Sequence, residues 1–103
     1  MNARYVLTQA AEGDLRSIIR YTRRKWGDEQ VRSYLAKLER GIIRLATGRS
    51  PFKDVSGLHP GLRMARCEHH YVFCLPREDE PWLVIAIFYE RMDLLVQLEA
   101  RLS

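Results

Sequence analysis

The chain has 103 residues, 47% hydrophobic and 29% charged, so it can bury a core as one domain, residues 1–103, without disulfides or metal ions. No apolar run reaches the roughly 18 residues of a membrane helix, and no apolar segment follows the N-terminus, which predicts a cytoplasmic protein without a secretory signal. The net charge of +4 divides into +6 for residues 1–50 and −2 for residues 51–103, which favours an acidic partner for the first half.

The first half of the chain predicts a strand followed by two helices. Arg4–Leu7 is short and β-prone, and Thr8 can cap a first helix that ends at Gly27. Asp28 can cap a second helix, which ends near Gly48. Apolar side chains recur at helical spacing in each helix: Ala11, Leu15, Ile18, Ile19, Thr22 and Trp26 in the first, and Val31, Tyr34, Leu35, Leu38, Ile42 and Leu45 in the second.

The short connection between these helices predicts an antiparallel αα-hairpin. We interpret Trp26 as a hydrophobic plug at its corner rather than as a stacking platform. Asp14, early in the first helix, is interpreted as a partner of the helix dipole or of a neighbouring arginine rather than as a catalyst. Arginines fall largely off the apolar stripes and form a basic surface, which either binds an acidic partner or serves only solubility: Arg16, Arg20, Arg23, Arg24 and Arg40.

The second half predicts a loop and three strands. Ser50–Pro60 is rich in turn residues, and the strand candidates are Leu62–Cys67, Tyr71–Leu75 and Trp82–Tyr89. Strands this close in sequence pair as an antiparallel meander, because a parallel crossover needs a dozen or more residues. Arg63 opens its strand either as a guard of a sheet edge or as a contact residue.

The last predicted strand is buried and is followed directly by charged residues. Residues 82–88 are seven consecutive apolar residues, typical of a strand buried on both faces. Tyr89–Asp93 then places charges at a rigid sheet end, where they can face a partner. Arg91 and Asp93 either contact that partner or pair with each other, and Asp93 can cap a short terminal helix.

These elements predict an α+β fold in the order β-α-α-β-β-β, with a possible short C-terminal helix. The helical hairpin should cover one face of a small antiparallel sheet. The apolar last strand should be central, with Arg4–Leu7 beside it.

Two cysteines and two histidines lie close together around the predicted hairpin turn. Cys67, His69, His70 and Cys74 do not have the usual spacing of zinc ligands, so we predict no metal site and no cofactor. If the turn centres on His70 and Tyr71, the cysteines face each other across paired strands. We interpret them as small core thiols, reduced in the cytoplasm, rather than as a disulfide.

Six ordered pieces of the sequence resemble the ParE branch of the RelE/ParE superfamily of type II toxin–antitoxin systems. The pieces span nearly the whole chain at the spacing of that family. They are Tyr5-Val6-Leu7-Thr8; Ala11, Asp14-Leu15, Ile18 and Tyr21; Trp26-Gly27 with Gln30, Tyr34 and Leu38; Gly61-Leu62-Arg63; His70-Tyr71-Val72-Phe73; and Arg91-Met92-Asp93.

The resemblance implies a bacterial toxin that acts without catalysis by binding and poisoning DNA gyrase, and that a cognate antitoxin neutralises in a hetero-oligomer. RelE-like relatives share the fold but cut mRNA on the ribosome, and this activity is the alternative. A nuclease would draw on Arg63, Arg66, Tyr89 and Arg91. Tyr89 stands where such sequences often have His, and acidic residues near it disfavour phosphate binding.

Binding is predicted to involve a groove and a sheet edge. Antitoxin tails commonly lay an amphipathic helix in a groove and add a strand to an edge, and a basic face suits an acidic tail. No membrane contact and no sequence-specific nucleic-acid binding are expected. The candidate contacts with target or antitoxin are Arg16, Arg20, Arg23, Arg24, Arg40, Arg63, Arg91 and Asp93.

Overall fold

The order of elements confirms the prediction from sequence and adds one short strand. The structure is a computed structural model and describes residues 4–103; residues 1–3, where a secretory signal would begin, lie outside the described residues. The elements are β1 (Tyr5–Leu7), α1 (Gln9–Trp26), α2 (Asp28–Ala46), β2 (Lys53–Asp54), β3 (Arg63–Cys67), β4 (His70–Leu75), β5 (Trp82–Tyr89) and α3 (Leu94–Leu102).

The sheet has five strands in the order β1-β5-β4-β3-β2 and is mixed rather than antiparallel. Strands β2 to β5 form the predicted meander, but β1 pairs with β5 in parallel, in the register Tyr5 with Trp82. The long connection through both helices permits this parallel pairing. The loop predicted for residues 50–60 contains β2, which covers β3 at Arg63 and Met64, so Arg63 does not open a free edge.

Both faces of the sheet are covered, which explains the unbroken apolar run in β5. Helices α1 and α2 pack on one face through Ile18, Leu38 and Leu45, and α3 packs on the other through Leu98. Residues 84–88 of β5 are all buried between these layers. None of the helices in residues 4–103 is both long and apolar enough to cross a membrane.

Helix ends follow local capping rules at two of three predicted positions. The Thr8 hydroxyl accepts a hydrogen bond from the Ala11 amide at 3.1 Å, and the Asp93 carboxylate accepts one from the Val96 amide at 3.3 Å. The prediction that Asp28 caps α2 is wrong. Gly27, with a φ of 90°, serves as the cap, and Asp28 begins the helix and pairs with Arg23.

Two further predictions fail for reasons of tertiary structure. Trp26 is not a plug, since 63% of its surface is exposed. The β3–β4 turn falls at Glu68 and His69, so Cys67 lies opposite His70 and not opposite Cys74. Both cysteines are buried and unbonded, because the turn lies two residues earlier than predicted and so places them at different positions along the hairpin.

Candidate functional site

An open groove of about 770 Å³ lies between the helical hairpin and the ends of β4 and β5. Ile18 and Ile87 are buried where they line it, whereas Tyr21, Trp26 and Met92 expose 56%, 63% and 47% of their surfaces. Exposed large apolar side chains gathered at one groove are typical of a surface that binds a protein segment.

One wall of the groove is fixed by a hydrogen-bonded triad that joins α2 to the β3–β4 turn. The Tyr34 hydroxyl lies 2.6 Å from His70 Nδ1 and accepts a hydrogen bond from the His69 amide at 3.1 Å. The Tyr34 and His69 rings stack with their centroids 6.5 Å apart. Helix α2 thereby positions both histidines of the turn.

His70 is buried, and its environment keeps it neutral. Burial lowers the pKa of His70 to about 4, helped by the nearby His69 and opposed by Glu90. The Nδ1 atom of a neutral ring can accept a hydrogen bond from the Tyr34 hydroxyl. Burial likewise raises the pKa of Tyr34. At neutral pH this pair is therefore a structural hydrogen bond without charge.

The end of β5 is tied to the same turn through Glu90. Its amide donates to the His69 carbonyl at 2.9 Å, and its carboxylate contacts Arg66 and lies 3.3 Å from His69 Nδ1. Arg66 also donates to the Glu68 carbonyl at 3.1 Å. The carboxylate is thus committed to holding the turn, which leaves it poorly placed to act on a ligand.

Asp14, which lines the groove, forms an ion pair that joins α1 to α3. Asp14 accepts two hydrogen bonds from Arg101 and a third from the Ile87 amide at 2.9 Å, and Arg101 donates to the Ile85 carbonyl at 2.9 Å. Strand β1 pairs with β5 only as far as Val84. The two side chains therefore satisfy backbone groups of β5 beyond the end of β1.

The residues predicted for a nuclease do not come together. Tyr89 and Arg91 line the groove, and Arg66 reaches it only through Glu90. Arg63 lies at the opposite end of β3, with its guanidinium 4.1 Å from the Phe52 ring centroid and 5.1 Å from that of Trp82.

The predicted contact residues are distributed over several surfaces. The arginines of α1 are exposed on the side of the helix away from the core; among them Arg23 pairs with Asp28. Arg40 lies on α2 beside a second depression. Arg91 lines the groove, and Asp93 caps α3.

Several residues of the site were not predicted as functional from the sequence. Tyr34 and His70 are 36 positions apart, and Asp14 and Arg101 are 87 apart. No periodicity links such pairs. Only the order of the family pieces, which include Tyr34 and His70, indicated that both matter. Within residues 4–103 no group of three or more His, Cys, Asp or Glu side chains is arranged to hold a metal ion.

The helical hairpin and the mixed sheet define a small α+β protein with an open groove that is lined by exposed apolar side chains. A family model described as "ParE toxin of type II toxin-antitoxin system, parDE" matches residues 5–94. The chain therefore belongs to the ParE toxin family. It is 69% identical to Toxin ParE of Escherichia coli over 99 residues, 96% of each chain. It is 29% identical to Toxin ParE1 of Mycobacterium tuberculosis over 94 residues, 91% of this chain and 96% of that protein.

Proposed function

We propose that this ParE-family toxin arrests growth in the cytoplasm by binding DNA gyrase, without catalysis of its own, and that a cognate antitoxin neutralises it by direct contact. One observation supports a toxin without catalysis: polar side chains that line the groove are bonded to other side chains of the protein. Asp14 is paired with Arg101, Glu90 with Arg66, and His70 with Tyr34. These groups hold the fold, and a general acid or base must instead be available to a substrate.

The charge of the groove also supports a protein partner over a polyanion. Three acidic residues, Asp14, Glu68 and Glu90, match three basic residues, Lys25, Lys37 and Arg91. A groove without net positive charge gains little from binding phosphates. Its exposed aromatic side chains suit an amphipathic antitoxin segment, which we propose binds there.

A ribosome-dependent mRNA endonuclease is the second candidate, since Tyr89 and Arg91 line the same groove as His69. Expression in cells separates the two. A gyrase poison should stop growth with filamentation and a DNA-damage response, and co-expressed antitoxin should restore growth. Growth arrest with mRNA cut at ribosomal A sites and no DNA-damage response would replace the proposal with the second candidate. Unimpaired growth would indicate a toxin that retains only antitoxin binding.

A further inference from the structure

A second depression, of about 400 Å³, lies between α2 and the end of β3 and has a different character from the groove. Its lining includes four basic residues, Lys37, Arg40, Arg44 and Arg66, and one acidic residue, Glu68. The groove, by comparison, balances its charges. The depression therefore has an excess of positive charge in its lining, which the groove does not have.

Three of these cations have no ion-pair partner in the part of the chain that the structure describes. Within residues 4–103, no ion pair and no side-chain hydrogen bond involves the side chain of Lys37, Arg40 or Arg44. Their spacing of three and four residues places them side by side on α2, where like charges repel. Arg44, in the last turn, gains from the helix dipole, but Lys37 and Arg40 lie further from the helix end. An anionic ligand would relieve this repulsion.

Cys67 is buried at the floor of the depression. Burial raises the pKa of its thiol, the nearby Glu68 adds to the increase, and Arg44 partly opposes it. The Cys67 sulfur also lies close beneath Gly41, where an added Cβ would approach it to 2.8 Å. The helix backbone thus lies against β3, and the cations of α2 lie along one side of the depression.

We propose that this depression binds the phosphodiester backbone of duplex DNA through Lys37, Arg40 and Arg44, without reading its sequence. Among residues 4–103, no aromatic side chain lines it, so this part of the chain gives it none of the stacking surfaces that single-stranded nucleic acids require. The described residues also give it no exposed apolar side chain to anchor an acidic peptide, whereas the groove has several. Lysine and arginine at a rigid surface are the groups that contact backbone phosphates.

The use of this site in the cell rests on the proposed function, because a toxin bound to gyrase lies close to the DNA that gyrase holds. Contact with that DNA would add to the affinity for the enzyme–DNA complex. Binding to DNA alone does not depend on gyrase, so the two proposals can fail separately.

Binding of a fluorescent 20-base-pair duplex of random sequence to the purified full chain, measured by anisotropy across a salt series, tests the proposal. The triple variant Lys37→Gln/Arg40→Gln/Arg44→Gln should lose at least about ten-fold in affinity, and its slope of log K against log salt should fall by about 2.7. The matched control Arg16→Gln/Arg20→Gln/Arg24→Gln removes the same charge from α1 and should change the slope by less than about one. Arg40→Lys/Arg44→Lys should retain binding.

Equal losses of duplex affinity in the two triple variants would show that DNA is attracted to the basic protein as a whole. This result would overturn the proposed site. Tighter binding of single-stranded RNA or of a polyglutamate peptide than of the duplex would also overturn it. Circular dichroism melting checks that each variant is folded. Gyrase inhibition by a chain that does not bind the duplex would contradict only this inference, whereas duplex binding without gyrase inhibition would contradict only the proposed function.

Discussion

The Asp14 carboxylate and the Arg101 guanidinium form a two-bonded ion pair, with both N–O distances at 2.8 Å, across 87 positions of the chain. The Arg101 guanidinium carbon also lies 5.0 Å from the centroid of the Phe88 ring. The hydrogen bonds that Arg101 donates to Asp14 raise the pKa of Arg101. The pair connects α1, β5 and α3, and so joins the helical layers on opposite faces of the sheet.

Removal of Arg101 should destabilise the fold strongly. Arg101→Met leaves the Asp14 carboxylate, which is 15% exposed, without its partner; the expected loss is about 3 kcal/mol in the free energy of unfolding. Urea denaturation measures this loss. Arg23→Met breaks the exposed Arg23–Asp28 pair and serves as control, with an expected loss below about 1 kcal/mol. Similar losses in both variants would contradict the structural role of the Asp14–Arg101 pair.

Stability should decrease as the solution becomes acidic. The pKa of His70 is about 4 in the folded chain and 6.5 as the ordinary value, so the unfolded chain binds a proton that the folded chain excludes. The free energy of unfolding should therefore fall between about pH 6.5 and pH 4, by up to about 3 kcal/mol. The groups that face this ring are Tyr34 from α2, Tyr89 from β5, and the nearby His69 and Glu90.

The variant His70→Gln isolates this pH dependence. Its unfolding free energy should vary less over the same pH range than that of the parent chain, measured by urea denaturation at each pH. His59→Gln, in the loop between β2 and β3, is the matched control and should retain the parent slope. A His70→Gln variant with the full slope would show that another group is responsible.

Substitution by alanine should have opposite effects on stability at two helical glycines. A Cβ at Gly41 would lie 2.8 Å from the Cys67 sulfur and 3.2 Å from its Cβ, whereas one at Gly13 would approach only Arg16, at 3.9 Å. Gly13→Ala should therefore stabilise the chain by up to about 1 kcal/mol. Gly41→Ala should destabilise it by about 1–3 kcal/mol, because the buried strand cannot move away.

Thermal melting distinguishes these outcomes, and a second substitution tests the cause. Combined with Cys67→Ala, which removes the obstructing sulfur, Gly41→Ala should cost less than it does alone. An unchanged cost in the double variant would mean that the contact with Cys67 is not the origin of the effect.

The exposed aromatic residues of the groove should matter for antitoxin binding and not for stability. Tyr21→Ala/Trp26→Ala should leave the melting temperature nearly unchanged, and should weaken antitoxin binding by about 2 kcal/mol or more, roughly 30-fold. Isothermal titration calorimetry measures the affinity. Phe52→Ala removes an exposed aromatic ring outside the groove and should bind the antitoxin normally. If the parent chain, the double variant and Phe52→Ala all bind the antitoxin with equal affinity, the antitoxin binds outside the groove.

Features determined by neighbouring residues could be predicted from the sequence. Thr8 and Asp93 cap helices that begin beside them, and the apolar run of β5 identifies a strand covered on both faces. Features determined by distant contacts could not. The turn lies at Glu68 and His69, two residues earlier than predicted, and this shift decides which residue lies opposite Cys67.

The candidate site depends more on such distant contacts than the fold does. The orientation of α1 decides that Trp26 faces the groove and solvent, although its spacing continues the apolar stripe. The partners of Asp14 and Tyr34 come from elements far along the chain, which no local pattern identifies. The sequence segments that resemble the ParE family include Asp14 and Tyr34, but they do not identify the partners of these residues.

Inhibition of purified DNA gyrase tests the central claim most directly. Supercoiling of relaxed plasmid should fall as the purified chain is added, and pre-incubation with an equimolar amount of its antitoxin should restore it. The proposed function predicts this inhibition, and the paired polar groups of the groove predict that no RNA is cleaved. Undiminished supercoiling at a large excess of toxin, together with cleavage of mRNA on ribosomes, would contradict the account.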